Sequence, residues 1–363
     1  MDEPKGYHRD IMIIASVHGS LPNHHYSQDE LIAEFIHHWS SQHHNTDRLK
    51  RLHEAVQVGS RHLALPLDKY PNLGLGEANN TFISVGTEIG AKAILGALDK
   101  LGLDATDVDA IFTTTVTGIA TPSLDARLVN TVGFRTDIKR TPMFGLGCVA
   151  GAAGTARLYD YLQAYPDQIA VLLSVELCSL TLQRNDLSVP NLIASGLFGD
   201  GAAALIGIGE RRAKEMGLRG PKVTQTQSRF YPDTERVMGW DVEDTGFKII
   251  LSSSVPDVVK HHIRSDVDGF LKAHGLTIAD ISTWVCHPGG PKVLTAFEES
   301  LELPPDALKR TWNSLQQVGN LSSASVLFVL QDTLNDHALA PGEKGLLLAL
   351  GPGFCSELVL LEG

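Results

Sequence analysis

The chain has 363 residues, of which 43% are hydrophobic and 20% charged, a composition typical of a globular protein with a large core. The formal net charge of -12 argues against nucleic acid as the main partner, although a local basic patch could still contact phosphates. Four cysteines are too few for a disulfide framework, so reduced thiols and a cytoplasmic location are expected.

The first half of the chain alternates between patterns typical of strands and of helices. The apolar run at 11–15 is too short for a signal or membrane segment, so no membrane insertion is expected. Elsewhere, short apolar and β-branched runs predict strands, and amphipathic patterns predict helices. The predicted strands are 10–20, 109–115 and 169–176, and the stretch 198–206 predicts a glycine turn leading into another strand. The predicted helices are 27–45, 81–103 and 123–132.

A charged, glycine-punctuated stretch at 207–225 marks the best boundary between two halves, which we place at 1–212 and 222–363. The predicted elements of the second half are a helix at 257–274, a strand at 281–286, helices starting near Lys292 and just after Asn320, and strands at 345–350 and 357–361. Each half is therefore expected to contain a strand, loop and helix twice. A pseudo-two-fold axis would bring the helices at Cys148 and Asn320 together, with His287 facing the same cavity.

Histidines are concentrated near the N-terminus, and a group of cations follows them. Neighbours on a helix point about 100° apart, so the histidine pairs at 24–25, 37–38 and 43–44 do not converge on one ion, and no metal site is expected. Arg48, Lys50 and Arg51 form a small cationic island, with Arg61 on a separate stretch. These cations form either a solvated helix face or a contact with phosphates at the mouth of a site.

Cys148 lies in a glycine-rich stretch that predicts a sharp turn between a strand and a helix. Small residues on both sides of it, over 145–154, allow tight bending and close packing. The first turn of a helix favours a thiolate over a thiol, which would make Cys148 a nucleophile. The alternative is a small buried cysteine that only packs at a strand–helix junction.

Cysteine, histidine and asparagine together suit chemistry on thioesters. His287 would take the proton of Cys148 and leave a thiolate–imidazolium pair. Asn320 would donate its amide hydrogen bond, with His287, to the enolate formed when a malonyl thioester loses carbon dioxide. A cysteine protease also uses these residue types, but its other local signatures are absent from the sequence.

Six stretches, in the same order along the chain, resemble the chalcone/stilbene synthase family, the type III polyketide synthases. They are 145–148, 174–181, 197–204, 287–291, 319–324 and 351–354. The resemblance implies an α/β, thiolase-like αβαβα fold made of two pseudo-symmetric halves, a homodimer, malonyl-CoA as extender, and no metal or redox cofactor. Within the family the chain looks most like bacterial, mycobacterial-type alkylpyrone synthases.

The resemblance also assigns roles to individual residues. It makes Cys148 the acylated nucleophile, with His287 and Asn320 stabilising the enolate, and Phe198 a gatekeeper between the coenzyme A tunnel and the cavity. Residues expected to shape the cavity are Cys178, Thr181, Val116, Ser322 and Ile249 (or Ile250), with a cyclisation loop at Gly351, Pro352 and Gly353. Residues expected to contact coenzyme A are Arg48, Arg51 and Lys292, while Ala55 replaces the family's third cation there.

The expected function is iterative decarboxylative condensation of malonyl-CoA onto a long-chain fatty acyl-CoA, followed by closure to an alkyl-α-pyrone. Val116 stands where bacterial tetrahydroxynaphthalene synthases have a cysteine, which argues against that product. The nearest alternative is a ketoacyl synthase that extends once. Alternatives from other classes are a thioester hydrolase and a non-catalytic acyl-binding protein.

Overall fold

A computed structural model of the protein describes residues 11–39, 45–336 and 339–363. Its strands, in chain order, are β1 Met12–Ser20, β2 His24–Ser27, β3 Ser60–Leu63, β4 Ala110–Thr115, β5 Lys139–Phe144, β6 Ile169–Leu177, β7 Asp200–Gly209, β8 Lys222–Phe230, β9 Met238–Glu243, β10 Gly246–Leu251, β11 Ile281–Cys286, β12 Lys344–Gly351 and β13 Cys355–Glu362. Its α-helices are α1 Gln28–Trp39, α2 Thr46–Ala55, α3 Leu75–Asp99, α4 Leu124–Leu128, α5 Ala150–Ala164, α6 Val189–Leu197, α7 Glu210–Met216, α8 Val255–Ala273, α9 Pro291–Leu301, α10 Lys309–Val318 and α11 Ser325–Asp336.

Nine strands form one sheet whose two sides repeat the same pairing pattern. The order is β11-β12-β13-β8-β1-β7-β6-β4-β5. From β1 outward, two antiparallel pairings lead to β6, and a parallel pairing leads to β4. From β8 outward, two antiparallel pairings lead to β12, and a parallel pairing leads to β11. A short antiparallel ladder between β1 and β8 joins the two sides, which gives the expected pseudo-two-fold arrangement.

The two halves of the sheet alternate with three layers of helices, one between the halves and one on the outer face of each. The fold is thiolase-like α/β. α5 and α11 form the middle layer, packed against strands from both sides. α3 covers the outer face of the first side, and α8 and α9 cover that of the second. Along β6, Ala170 and Leu172 face the middle layer, while Val171 and Leu173 face α3, because successive side chains of a strand point to opposite faces.

Several predicted elements differ from the structure. The helix predicted at 81–103 begins earlier, at Leu75, and the helix predicted at 123–132 ends at Leu128, where a wider helical turn follows. Asn320 is preceded by a helix, α10, and not by the expected strand, so β5 has no counterpart in the second half. The hairpin of β9 and β10 was not predicted, because its residues are only partly buried and lack a clear apolar alternation.

α3 is long and apolar enough to cross a membrane by composition alone. Half of its most apolar window is buried inside the protein, where Phe82, Ile89 and Ile94 pack against β6 and β7. Its apolar character is therefore explained by its place as a core helix.

Glycine lets the first turns of α5 and α11 approach each other closely. A Cβ placed at Gly151 would lie 2.3 Å from the carbonyl oxygen of Ser323 and 2.5 Å from a methyl carbon of Val326. Real Cβ atoms do not approach backbone atoms that closely, so a side chain at this position would push the helices apart. The two helix N-termini can therefore lie this close together only because residue 151 is a glycine.

We expect Gly151→Ala to lower the free energy of unfolding by about 1–3 kcal/mol, the usual cost of an overpacked site. The matched control is Gly269→Ala on α8, where an added Cβ would meet nothing within 4 Å. That control should be neutral or gain roughly 0.5–1 kcal/mol from helix propensity. Urea unfolding of both variants checks the prediction, and equal stability of the two would contradict it.

Candidate active site

Cys148 is presented by a tight turn, Gly147–Val149, that connects β5 to α5. Only 5% of the residue is exposed. Gly147 has a left-handed φ of +58°, and a Cβ there would lie 2.7 Å from Cδ of Pro352. A Cβ at Gly351 would lie 2.5 Å from the backbone nitrogen of Val149. The predicted loop at 351–353 therefore packs directly against the nucleophile turn, and only glycines permit this contact.

Asn320 and Ser322 reach Cys148 from the start of α11. The thiol of Cys148 donates to Oγ of Ser322 at 3.7 Å, and the Asn320 side chain lies near enough to lower the pKa of the thiol. Oδ1 of Asn320 accepts from the backbone N–H of Ser322 at 2.8 Å, so the amide N–H groups are the donors that this side chain can offer to another group. The structure thus brings Cys148, Asn320 and Ser322 together.

His287 follows β11 at the same end of the sheet. Its backbone N–H donates to the carbonyl oxygen of Leu348, on the strand whose C-terminal residue, Gly351, contacts the nucleophile turn. The imidazole is buried, and neither ring nitrogen has a hydrogen-bond partner in the described part of the chain. Buried polar atoms are rarely left unpaired in proteins, so this ring is prepared for a group that the protein itself does not supply.

Desolvation opposes the thiolate that the sequence predicted for Cys148. Burial raises the pKa of the Cys148 thiol to about 12, and hydrogen bonds from Ser322 and Asn320 offset only part of this shift. Burial also lowers the pKa of the His287 imidazole to about 3. Burial thus favours the neutral form of both groups, and it opposes the expected effect of the helix N-terminus. Among the described residues no hydrogen bond joins them.

Glu176 is a buried carboxylate beside the site that the sequence analysis did not single out as a site residue. It accepts from Oγ of Ser323 at 2.5 Å, from Oγ1 of Thr117 at 3.0 Å and from the backbone N–H of Val116 at 3.1 Å. Burial raises its pKa, and these donors oppose that shift. Glu176 thereby ties the loop after β4 to the turn just before α11, across the two halves of the fold.

Four of the predicted cavity residues line one pocket. Cys178, Thr181, Phe198 and Ile249 are among its walls, and the space between the walls, including open solvent at its mouth, is about 870 Å³. Its walls also include apolar side chains from other elements, namely Leu31, Phe35, Leu63, Leu182, Ala194 and Trp240. Cys148, His287 and Asn320 are not among the lining residues, so the pocket adjoins the nucleophile without containing it.

Trp240 is a further cavity residue, and the sequence alone did not indicate it. It pairs with Ile249 across the β9–β10 hairpin, and its indole N–H donates to the carbonyl oxygen of Val116 at 3.1 Å. Val116 is buried and contributes this carbonyl, but it does not line the pocket. The hairpin is therefore held against the loop after β4 and closes one side of the cavity.

The three residues predicted to contact coenzyme A are on the surface, whereas Arg61 is buried. Arg48 and Arg51 are exposed on α2, and Lys292 is exposed on the first turn of α9. Arg61 is only 2% exposed and donates to backbone carbonyl oxygens inside the protein. Arg61 therefore cannot contact a ligand phosphate at the surface.

The histidine pairs do not form a metal centre in the described ranges. Within them, no group of three or more His, Cys, Asp or Glu side chains is placed to hold an ion. The ring centres of His25 and His62 lie 4.7 Å apart across the β2–β3 pair, with the ring planes tilted by 42°. The pair at 43–44 and the side chain of His38 lie outside the described part of the chain.

The sequence matches the family described as chalcone and stilbene synthases, with the N-terminal domain over residues 7–210 and the C-terminal domain over 222–363. A 1,3,6,8-tetrahydroxynaphthalene synthase from Streptomyces peucetius is 51% identical over 96% of this chain and 92% of its own length. One from Streptomyces coelicolor is 32% identical over 94% of this chain and 89% of its own length.

Solved structures agree with the sequence matches. The crystal structure of 1,3,6,8-tetrahydroxynaphthalene synthase from Streptomyces coelicolor A3(2), a bacterial type III polyketide synthase, superposes with a TM-score of 0.90 at 31% identity. The superposition covers 96% of this chain and 99% of that one. The chain therefore belongs to the chalcone and stilbene synthase family, and it is a type III polyketide synthase, an acyl-transferring enzyme.

Because burial raises the pKa of the Cys148 thiol, we expect its alkylation by iodoacetamide to be slow at pH 7. The rate at Cys148 should rise about tenfold per pH unit above neutrality, with no plateau between pH 6 and 9, since only the thiolate reacts. His287→Ala should change this profile little. Peptide mass spectrometry separates Cys148 from the other cysteines, and Cys148→Ala gives the background.

A thiolate–imidazolium pair would behave differently. It would give a fast, pH-independent rate around neutrality that His287→Ala abolishes. That outcome would contradict the neutral resting site.

Proposed function

We propose that Cys148 carries the growing chain as a thioester. An acyl-CoA binds, His287 takes the thiol proton as the sulfur attacks the carbonyl carbon, and coenzyme A leaves with a proton. The single observation that carries this proposal is the buried His287 ring with two unpartnered nitrogens, at the same end of the sheet as Cys148 and Asn320. A neutral imidazole can act as a base, which a protonated one cannot.

The extension step uses the same residues. Malonyl-CoA loses carbon dioxide, and the electron pair of the broken carbon–carbon bond remains as an enolate that accepts hydrogen bonds from His287 and Asn320. The enolate carbon attacks the acyl carbonyl on Cys148, a carbon–carbon bond forms, and the carbon–sulfur bond to Cys148 breaks. The extended chain then returns to Cys148 for the next round. This cycle needs no metal or redox cofactor.

Alkyl starters and closure to an alkyl-α-pyrone are the finer part of the proposal. The pocket beside Phe198 supports it, because its walls beyond Cys178 and Thr181 are mainly aliphatic and aromatic and lead toward α1 and α6. Such walls favour the burial of methylene groups, worth about 0.8 kcal/mol each. Exposed Arg48, Arg51 and Lys292 would contact the phosphates of coenzyme A, and the substrates are expected in the cytoplasm.

A second candidate product is 1,3,6,8-tetrahydroxynaphthalene, which the names of the relatives favour. Its naphthalene skeleton can be assembled from two-carbon units that malonyl-CoA alone supplies. The two candidates therefore differ in the starter: the naphthalene needs no acyl-CoA, and the alkylpyrone requires one.

A homodimer is also part of the proposal, through the free edge of β5. This strand pairs only with β4 in the described part of the chain, and unpaired edge strands need a cover. Phe144 at its end is 57% exposed, and Ile119 in the facing loop is 54% exposed. Together they form an apolar surface of the kind that protein contacts bury.

We expect purified enzyme to convert malonyl-CoA and fatty acyl-CoA starters into alkylpyrones, as seen by mass spectrometry with carbon-labelled malonyl-CoA. Cys148→Ala should abolish the products. Naphthalene product from malonyl-CoA alone, unchanged by added acyl-CoA, would select the second candidate. Release of free acid with no new carbon–carbon bond would refute both and indicate a thioester hydrolase.

Filling the pocket should select against long starters. Ala194 lines it from α6, so Ala194→Phe should lower kcat/KM for dodecanoyl-CoA by about tenfold or more relative to acetyl-CoA. The matched control is Ala273→Phe, at the exposed end of α8, which should leave the ratio unchanged. Equal loss with both starters would mean that the pocket does not hold the chain.

A charge at the β5 edge should prevent dimerisation. We expect Phe144→Asp to shift the enzyme to a monomer in sedimentation velocity, because an unpaired carboxylate would be buried at the contact. Val242→Asp is the control, since Val242 is 74% exposed on the β9–β10 hairpin. A dimer retained by Phe144→Asp but lost by Val242→Asp would move the interface to the hairpin.

A further inference from the structure

Arg61 is a buried arginine that the catalytic cycle above does not use. It lies on β3, and its guanidinium donates from Nη1 to the carbonyl oxygens of Ser195 at 2.6 Å and Phe198 at 2.8 Å. Its Nη2 donates to Oε1 of Gln28 at 3.1 Å. Burying a charged group is costly unless its hydrogen bonds are supplied, so this side chain needs an explanation.

The segment that Arg61 holds is directly bonded to Asn320. The backbone N–H of Asn320 donates to the carbonyl oxygen of Leu197 at 2.9 Å, and the N–H of Gly199 donates to the carbonyl oxygen of Asn320 at 3.0 Å. A Cβ at Gly319 would lie 3.1 Å from Cγ of Arg61, so the arginine stem also packs against the residue before Asn320. These two backbone hydrogen bonds form a small ladder between 197–199 and 319–320, and Arg61 contacts both of its segments.

Asp200 supplies the counter-charge and supports the opposite wall of the cavity. It accepts from the backbone N–H of Ala64 at 2.7 Å, and from the N–H and Oγ of Ser179 at 2.8 and 2.5 Å. Burial raises the pKa of Asp200 to about 6, an effect that the Arg61 charge opposes. Burial lowers the pKa of Arg61 to about 10, so the guanidinium remains protonated at neutral pH.

We propose that Arg61 is a positioning residue that sets Asn320 against Cys148 through the ladder at Leu197–Gly199, and holds the Phe198 backbone at the cavity wall. The inference rests on the proposed roles of Cys148 and Asn320. A guanidinium suits the task because one planar group bridges two carbonyl oxygens and an amide oxygen at fixed angles, which a lysine ammonium cannot reproduce. Loss of Arg61 should therefore impair enolate stabilisation more than acyl loading.

The test separates two half-reactions of the full-length enzyme. Acylation of Cys148 by dodecanoyl-CoA is followed by intact mass, and decarboxylation of malonyl-CoA by release of carbon dioxide. In Arg61→Met and Arg61→Lys we expect the decarboxylation kcat to fall on the order of 100-fold, the scale of a small misplacement of a reacting group. The KM for malonyl-CoA and the acylation rate should change little.

A double-mutant cycle with Asn320→Ala identifies the route of the effect. If Arg61 acts through Asn320, Arg61→Met should cost little further activity once Asn320→Ala is present. Tyr159→Phe is the control for a lost buried hydrogen bond, because its hydroxyl donates to the carbonyl oxygen of Thr224, away from the site. If Arg61→Met does not fold, Gln28→Leu removes one acceptor and should give a smaller loss of the same kind.

The outcomes are distinguishable. Additive effects in the cycle, or equal losses in acylation and decarboxylation, would overturn the positioning role and leave a general role in folding. A wild-type enzyme that neither acylates Cys148 nor releases carbon dioxide would instead refute the proposed function itself.

Discussion

The close approach of α5 and α11 is the constraint on which the site depends. A Cβ at Gly151 would come within 2.3 Å of a backbone oxygen in the turn just before α11, so the two helices meet this closely only because residue 151 is a glycine. The same contact places Cys148, just before α5, beside Ser322, just before α11. Both helix N-termini then direct their partial positive charge toward one buried point, where a negative oxygen would be stabilised.

Burial is the main cause of the pKa shifts of Cys148, His287 and Glu176. Glu176 is buried but accepts hydrogen bonds from Ser323, Thr117 and Val116, so its polar atoms are satisfied within the protein. His287 is equally buried and has no such partners among the described residues. The contrast separates a polar group whose hydrogen bonds are satisfied from one that retains hydrogen-bonding capacity, since a group that is already satisfied gains little from a new contact.

The sequence predicted the elements with strong local signals. β4, β6 and β11 were placed within about two residues, because their apolar runs are buried on both faces and carry a clear pattern. The convergence of Cys148 and Asn320 could also be anticipated, since the internal repeat predicts which loops share one end of the sheet. These inferences needed only local patterns and topology.

The failures share a different cause, which is long-range packing. Arg61 reads as a surface cation, yet carbonyl oxygens more than a hundred residues away in the chain accept its hydrogen bonds. Trp240 enters the cavity because the β9–β10 hairpin folds over Val116, a contact with no local signal. The raised pKa of Cys148 likewise depends on how completely the fold excludes water, which a helix-start pattern does not reveal.

The arrangement of the cavity explains how one reaction scheme can serve different products. The backbone around Phe198 is tied to Asn320, so a backbone shift that enlarges the cavity at this wall would also move Asn320. Ala194, Trp240 and Ile249 line the same pocket with side chains that are not part of that ladder. Starter choice can therefore change by side-chain substitution at those positions while the geometry of condensation is kept. The 51% identity to a tetrahydroxynaphthalene synthase thus fixes the chemistry more firmly than it fixes the starter.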